Sequence, residues 1–171
     1  MRLIKQQVDK IYSQYNVTID VGFAIDDTMM RVYHREAEET LTYRLPDVAK
    51  NCLHNTSLGK AFLSTLTESE LEQTLDRIYL HARTKKTISD KDQLLAEIEK
   101  IHKRGYAMCV EEYLVGLITI GSPLISSHSG EGIGAVSFDF SILQNNADEI
   151  EKNYADRIKK AAAALSECLH R

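Results

Sequence analysis

Cysteine is scarce in this chain, and none of it is spaced for structural work. Cys52, Cys109 and Cys168 make an odd count in 171 residues, with no Cys-x-x-Cys pair. That excludes a disulfide framework and a zinc knuckle, leaving reduced and mostly buried thiols. An excess of positive charge is also missing. Lysine and arginine number 21 against 25 aspartate and glutamate, a formal net charge of −4. Gripping a nucleic-acid backbone demands a basic stripe, so this chain is not expected to bind DNA by itself. No hydrophobic run approaches the ~20 residues that span a bilayer. The start, Met-Arg-Leu-Ile-Lys-Gln-Gln-Val, has neither the apolar core nor the small-residue cleavage site of a signal peptide. His81, His102 and His128 show no HxxxH or HxH spacing, so no metal cluster is visible and no cofactor is implied. The expectation is a cytoplasmic chain that is not inserted in a membrane.

What is present is ordinary globular material. Hydrophobic residues are 43% of the chain, and this length buries a real core without staples. There is no repeat, low-complexity tract or interdomain linker, so residues 1–171 read as one domain. Leu3, Ile4, Val8, Ile11, Tyr12 and Tyr15 recur at helical spacing and predict a helix over 2–15. Val17–Ala24 and Met29–His34 are apolar, β-branched runs parted by Asp26-Asp27, a hairpin signal. Thr40–Leu45 extends the sheet until Pro46, which donates no ladder bond. A short helix over 57–65 precedes one from Glu68 to Arg77, opened by the capping box Thr67-Glu-Ser-Glu70. Ser89-Asp-Lys-Asp92 caps a further helix with apolar face Leu94, Leu95, Ile98 and Ile101, stopped by Gly105. The pattern then turns to strands, Tyr106–Glu111, Gly116–Leu124 and Gly132–Phe140, before a closing helix over Ala147–Leu169. Helix, strands, helices, strands, helix is an α+β order: an antiparallel sheet covered by helices.

Chemistry concentrates near Ser57-Leu58-Gly59-Lys60 at a helix start. Free N–H groups there favour an anion, although Thr56 or Ser57 serving as a plain helix cap explains the same residues. Lys60 reads as a solvated helix lysine, and His54 as a structural histidine bonded to nearby backbone. Glu111-Glu112 looks like a carboxylate pair, but neighbours on a strand face opposite sides and cannot share a site. One is expected to point inward and the other to solvent. Ser137 and Asp139, two apart on a strand, share one face.

Two phrases together carry a resemblance. His54-Asn-Thr-Ser-Leu-Gly-Lys-Ala61 is followed at a suitable distance by Gly105-Tyr-Ala-Met-Cys-Val-Glu111-Glu112-Tyr-Leu-Val-Gly116. The ordered pair resembles the C-terminal effector-binding domain of IclR-family bacterial transcription regulators, along nearly the whole chain. The resemblance implies a GAF-like (profilin-like) fold with a curved antiparallel sheet holding a small-molecule effector. It also implies a homodimer or homotetramer, and DNA contact only through an N-terminal winged helix-turn-helix domain that these residues do not include. Such a chain is either a regulatory domain separated from that partner or a stand-alone sensor. Carried over position by position, the family's ligand residues fall on Ser57, Leu58, Cys109, Thr119, Ser137 and Asp139. Cys109 stands where many members hold Asp, and Asp139 where they often hold Ser, so either the pocket's negative charge has moved from one strand to another or the pocket has lost the ability to hold a free carboxylate close by. The resemblance implies small carboxylates and aromatic acids as effectors, while an inward Asp139 selects for a donor group and so for a small polar ligand such as a hydroxy acid. No catalytic residue is assigned. Two other functions compete: an enzyme with Cys109 as nucleophile and His102 as base, and an oligomerisation module with a vestigial pocket. A structure placing a polar cavity between Ser57, Cys109, Thr119 and Asp139 favours the sensor, and bulky side chains filling that pocket favour the module.

Overall fold

The computed structural model describes residues 2–38 and 52–169, and the backbone of residues 48 and 49. The extension expected over Thr40–Leu45, with its stop at Pro46, lies outside the described residues. In chain order the elements are α1 (Arg2–Tyr15), β1 (Thr18–Ile25), β2 (Thr28–Arg35), β3 (Val48–Ala49), α2 (Ser57–Leu63), α3 (Glu68–Arg77), α4 (Lys91–Arg104), β4 (Ala107–Val110), β5 (Leu117–Ile125), β6 (Gly132–Ser141) and α5 (Ala147–Cys168). Each helix starts and stops where local chemistry dictates. Thr56 caps α2 by accepting from the Gly59 N–H, and Thr67 and Glu70 close the capping box of α3. Asp90 caps α4, which ends on Gly105 in the left-handed conformation.

The strands form one antiparallel sheet in the order β3-β2-β1-β6-β5-β4, so the chain's two strand groups meet where β1 pairs with β6. One face is apolar. Ile19, Val21, Ile118, Ile120, Val136 and Phe138 pack there against Ile4, Val8 and Ile11 of α1 and Ile150, Ile158 and Leu165 of α5. The opposite face carries a second cluster under α2 and α4, built from Leu58, Ala61, Leu63, Leu94, Ile98 and Ile101. With both faces covered, the central strands β5 and β6 are buried almost throughout.

The register aligns polar residues across this second face. Cys109, Thr119, Asp139 and Thr18 form one cross-strand row, and Ala107, Gly121, Ser137, Asp20 and His34 form the next. Helix α2 passes directly over the second row. A Cβ on Gly121 would lie 2.9 Å from the Ser57 carbonyl oxygen, so glycine permits the approach. Between β1 and β2 an extra residue, Val32, breaks the register. The bulge turns Arg31 to the same face as His34, and both reach Asp20 Oδ1, at 3.4 and 2.7 Å.

Lys60 is not a solvated lysine. It is fully buried, and its ammonium donates to both carboxylate oxygens of Glu112 at 2.6 and 2.8 Å. Burial opposes its charge, but nearby anionic groups, the thiolate form of Cys109 and the Glu112 carboxylate, more than offset this and hold its pKa above the ordinary value. The Cys109 thiol is itself driven far upward by burial and stays neutral, so Glu112 is the operative partner. Strand alternation does not govern Glu111 and Glu112, because β4 ends at Val110. They part on a loop instead. Glu111, at a φ of 58°, reaches Lys86 and the Gly116 N–H, while Glu112 points inward.

Two outcomes follow from these buried charges. Lys60→Met leaves Glu112 buried without a counter-charge and is expected to destabilise the fold by about 3–5 kcal/mol. The double variant Lys60→Met/Glu112→Leu should regain most of that loss in urea unfolding, and a double variant no more stable than the single would contradict pairing as the cause. His34 is the pH-sensitive group. Its hydrogen bond to Asp20 raises its pKa against the opposing effect of burial, with a further contribution from Glu36 and opposition from Arg31. A raised histidine pKa stabilises fully below the unfolded value near 6.5 and loses that contribution as pH climbs through the elevated one. The stability gap between wild type and His34→Gln should therefore be wider near about pH 5.5 than near about pH 8.5.

Candidate functional site

The site is built where α2 crosses the polar sheet face. Thr119 on β5 and Ser137 and Asp139 on β6 supply a floor, because alternation on a strand sends these side chains to the α2 side. Thr56, Ser57 and Leu58 descend from the start of α2, while Tyr113 from the β4–β5 connection and Leu117 at the start of β5 complete the lining. Five of the six residues marked in the sequence, Ser57, Leu58, Thr119, Ser137 and Asp139, therefore line one cavity. Cys109 does not line it. Although it sits across from Thr119 in the ladder, it is enclosed beside Lys60 and Glu112, whose charges act on it.

Inside this cavity the polar groups are deeply buried. Ser137 donates to Asp139 Oδ1 at 3.0 Å, and both residues are 2% exposed. Ser57, 1% exposed, has a hydroxyl with no hydrogen-bond partner among the described residues. An unsatisfied buried hydroxyl costs about 1–3 kcal/mol, which a bound polar group would recover. The free space is only ≈ 10 Å³, on the order of one water molecule. Tyr113, Leu58 and Leu117 form its apolar lining. On the far side of Asp139 lies a wider cleft of ≈ 190 Å³, lined by Asn16, Thr18, Ser141, Gln144, Asn145 and Tyr154 among others. Asp139 is the wall common to both.

The roof is strongly tethered. Arg83 lies over the Tyr113 ring at 4.1 Å and donates to its carbonyl, while Thr84 and Thr87 donate to the carbonyls of Glu111 and Glu112. At the helix start the capping role is the one realised within the chain. Helix α2 has seven residues, and Thr56 takes the Gly59 N–H as a plain cap. His54 is structural as expected: its Nε2 donates to the His81 carbonyl at 2.9 Å, and burial lowers its pKa, so the ring is neutral. The thiol enzyme fails on geometry. Burial keeps Cys109 protonated, and His102 Nδ1 is engaged with the Ser64 carbonyl at 2.9 Å. Among the described residues no group of histidine, cysteine or acidic side chains is arranged to hold a metal, and no helix is long and apolar enough to cross a membrane.

Three residues escaped the sequence. Tyr113 had no signal, because a loop residue's direction is set by its tethers. Leu117 had a signal, since it opens β5 two residues before Thr119 and so shares its face. Lys60 had one as well. It stands three residues after Ser57 on the same helix, so if Ser57 faces inward, Lys60 must as well.

Comparison with known proteins gives this geometry its context. The family described as bacterial transcriptional regulator IclR C-terminal matches residues 1–167. The HTH-type transcriptional regulator BhcR of Paracoccus denitrificans is 26% identical over 149 residues, 87% of this chain and 53% of that protein. The Thermotoga maritima IclR crystal structure superposes with a TM-score of 0.88 at 27% identity, covering 99% of this chain and 68% of that one. The inducer-binding domain of a double mutant of the Acinetobacter transcription factor PobR, in complex with 3-hydroxybenzoic acid, shares the fold at a TM-score of 0.85 and 18% identity, covering 96% of each chain. This chain spans about half the length of the curated relatives it matches. Those relatives are transcription regulators and not enzymes. Motif order, sheet topology and whole-chain family match agree: the chain belongs to the IclR family of bacterial transcriptional regulators, as their C-terminal regulatory domain.

Proposed function

We propose that this domain senses a small metabolite in the cavity beneath α2 and passes a conformational bias to a DNA-binding domain beyond these residues. In this reading it works in the cytoplasm as a homodimer or homotetramer, with Ser57, Leu58, Thr119, Ser137 and Asp139 contacting the effector. The observation that carries it is the Ser57 hydroxyl: buried, unpartnered, and gathered with Thr119, Ser137 and Asp139 from three separate elements into one space. Polar groups are seldom buried unsatisfied without a use. The complex of PobR with 3-hydroxybenzoic acid supports the idea that this fold takes small organic ligands.

The cavity volume shapes the mechanism. A space of ≈ 10 Å³ admits no metabolite, whereas ligand sites run to about 300–1,000 Å³. Effector entry therefore needs Tyr113 to leave, and its tethers to Arg83 and the Thr84–Thr87 turn carry that movement to the connection between α3 and α4. A ligand shifts such an equilibrium only by its preference for the open state, typically about 1–3 kcal/mol of coupling. The same small volume favours a second reading, an oligomerisation module whose pocket is closed by Tyr113, Leu58 and Leu117.

A thermal-shift screen of short-chain acids, hydroxy acids, aromatic acids and polyols separates the two. Sensing predicts at least one compound that raises the melting temperature, with the response abolished by Ser57→Trp, which fills the cavity. Tyr113→Ala should tighten binding several-fold by removing the opening cost. An oligomer by sedimentation that responds to no compound, or whose response survives Ser57→Trp, would favour the module.

A further inference from the structure

We infer that Tyr113-Leu114-Val115 is a lid over the cavity, hinged at Gly116, and that Glu111 is the positioning residue that holds it shut. That an effector passes beneath this lid rests on the sensing reading above; the lid itself does not.

The connection between β4 and β5 divides into a fixed half and a loosely held half. Its first residues are anchored in the interior. Glu112 is buried and accepts the Lys60 ammonium on both oxygens, and its Oε2 also accepts the Ile88 N–H at 3.3 Å. The Thr87 hydroxyl donates to the Glu112 carbonyl at 2.6 Å, and the Thr84 hydroxyl to the Glu111 carbonyl at 2.7 Å. The residues that follow are held differently. Leu114 and Val115 are 42% and 74% exposed, so burial does little to fix them. Tyr113 packs inward, against Cys52 and Leu117. Arg83 over its ring is itself exposed and can move with it.

Glu111 controls the point where the chain returns to the sheet. Its Oε1 accepts the Gly116 N–H at 2.8 Å, while its Oε2 takes the Lys86 ammonium at 2.5 Å. The side chain thus closes a ring across the connection, from Glu111 to Gly116. Both ends of that ring have left-handed backbone, with φ 58° at Glu111 and 89° at Gly116. Glu111 sits there against its own backbone preference. A Cβ on Gly116 would meet no atom within 4 Å among the described residues. Crowding does not call for glycine at this position; the backbone conformation does, and glycine leaves that conformation as readily as it adopts it. A residue free to change φ, held by one hydrogen bond to a side chain, is suited to be a hinge. Rotation at Gly116 with Glu112 fixed lifts Tyr113 from the cavity. It opens the way to Ser57 and Thr119 without parting Lys60 from its counter-charge, the costly alternative.

Two cysteines report on the two halves. Cys52 is 1% exposed and is joined to Tyr113 by a side-chain hydrogen bond, so it follows the lid. Cys109, beside Lys60 and Glu112, follows the fixed half. Alkylation of the 171-residue chain with iodoacetamide, with the rate at each cysteine read by peptide mass spectrometry, tests the inference. Glu111→Ala is expected to speed modification of Cys52 at least about tenfold, through loss of one charge-assisted hydrogen bond, with Cys109 unchanged. Glu111→Gln keeps an oxygen acceptor for the Gly116 N–H, and Lys86→Met leaves that bond in place, so both should stay within about twofold of wild type. Gly116→Ala penalises the closed φ and should also speed Cys52; it carries the test if Glu111→Ala fails a thermal-melt check for folding. Three results would overturn the inference: Cys52 at the wild-type rate in either folded variant, Glu111→Gln or Lys86→Met as fast as Glu111→Ala, or Cys52 and Cys109 accelerating together. The measurement contains no effector, so a failed lid leaves the sensing reading to be decided by the compound screen.

Discussion

The ion pair between Lys60 and Glu112 is the constraint on which the rest of the site depends. Helix α2 is only seven residues long, too short to hold a fixed orientation through its own hydrogen bonds. Burying an ammonium in its last turn is costly unless a carboxylate meets it, and the one that does comes from the β4–β5 connection, 52 residues away in sequence. The pair therefore locks roof to helix. Because Ser57 lies one turn before Lys60 and Tyr113 lies one residue after Glu112, the same lock places the residues above the cavity. Floor and roof are thus held differently: Thr119, Ser137 and Asp139 by the ladder of the sheet, Ser57 and Tyr113 by one charged contact and a set of loop hydrogen bonds.

That division has a thermodynamic meaning. Central strands open only with global unfolding, whereas tethered loops open at lower free energy. A domain with a rigid floor and a releasable roof can recognise a ligand through one part and respond through the other. The tethers of the Tyr113 loop run to Arg83, Thr84 and Thr87, in the connection between α3 and α4. Under the proposed sensing function, ligand preference and mechanical output would be carried by separate sets of residues, and a substitution in one set need not disturb the other.

The legibility of these features in the amino-acid sequence divides along the same line. Apart from β3, whose two residues follow the stop expected at Pro46 and were not foreseen, strands and helices emerged within one or two residues, because periodic burial of Ile118, Ile120, Phe138, Ile158 and Leu165, together with the caps at Thr67 and Gly105, acts locally. Ser137 and Asp139 could be placed on one face from their spacing alone. Lys60 was misread as solvated because helix lysines usually are; only its phase relative to Ser57 told otherwise. The Glu111-Glu112 argument reached a sound separation by an inapplicable route, since strand alternation stops at Val110. Tyr113 and the Asp20–His34–Arg31 cluster were not legible. Their positions come from tertiary tethers and from one inserted residue, neither of which leaves a periodic trace.

The inserted residue has a consequence of its own. In a regular ladder Arg31 and His34 would face opposite sides, and Arg31 would be driven into the apolar layer beneath α1 and α5. Val32 interrupts the count and makes the two neighbours on Asp20. Deleting Val32 would close the bulge into an unbroken ladder with the same pairs, Val21 with Tyr33 and Gly22 with Arg31, and keep the guanidinium on the Asp20 side. A change of one residue between Arg31 and His34 therefore preserves the layer that each enters in a regular strand, whereas loss of two would set them on opposite faces.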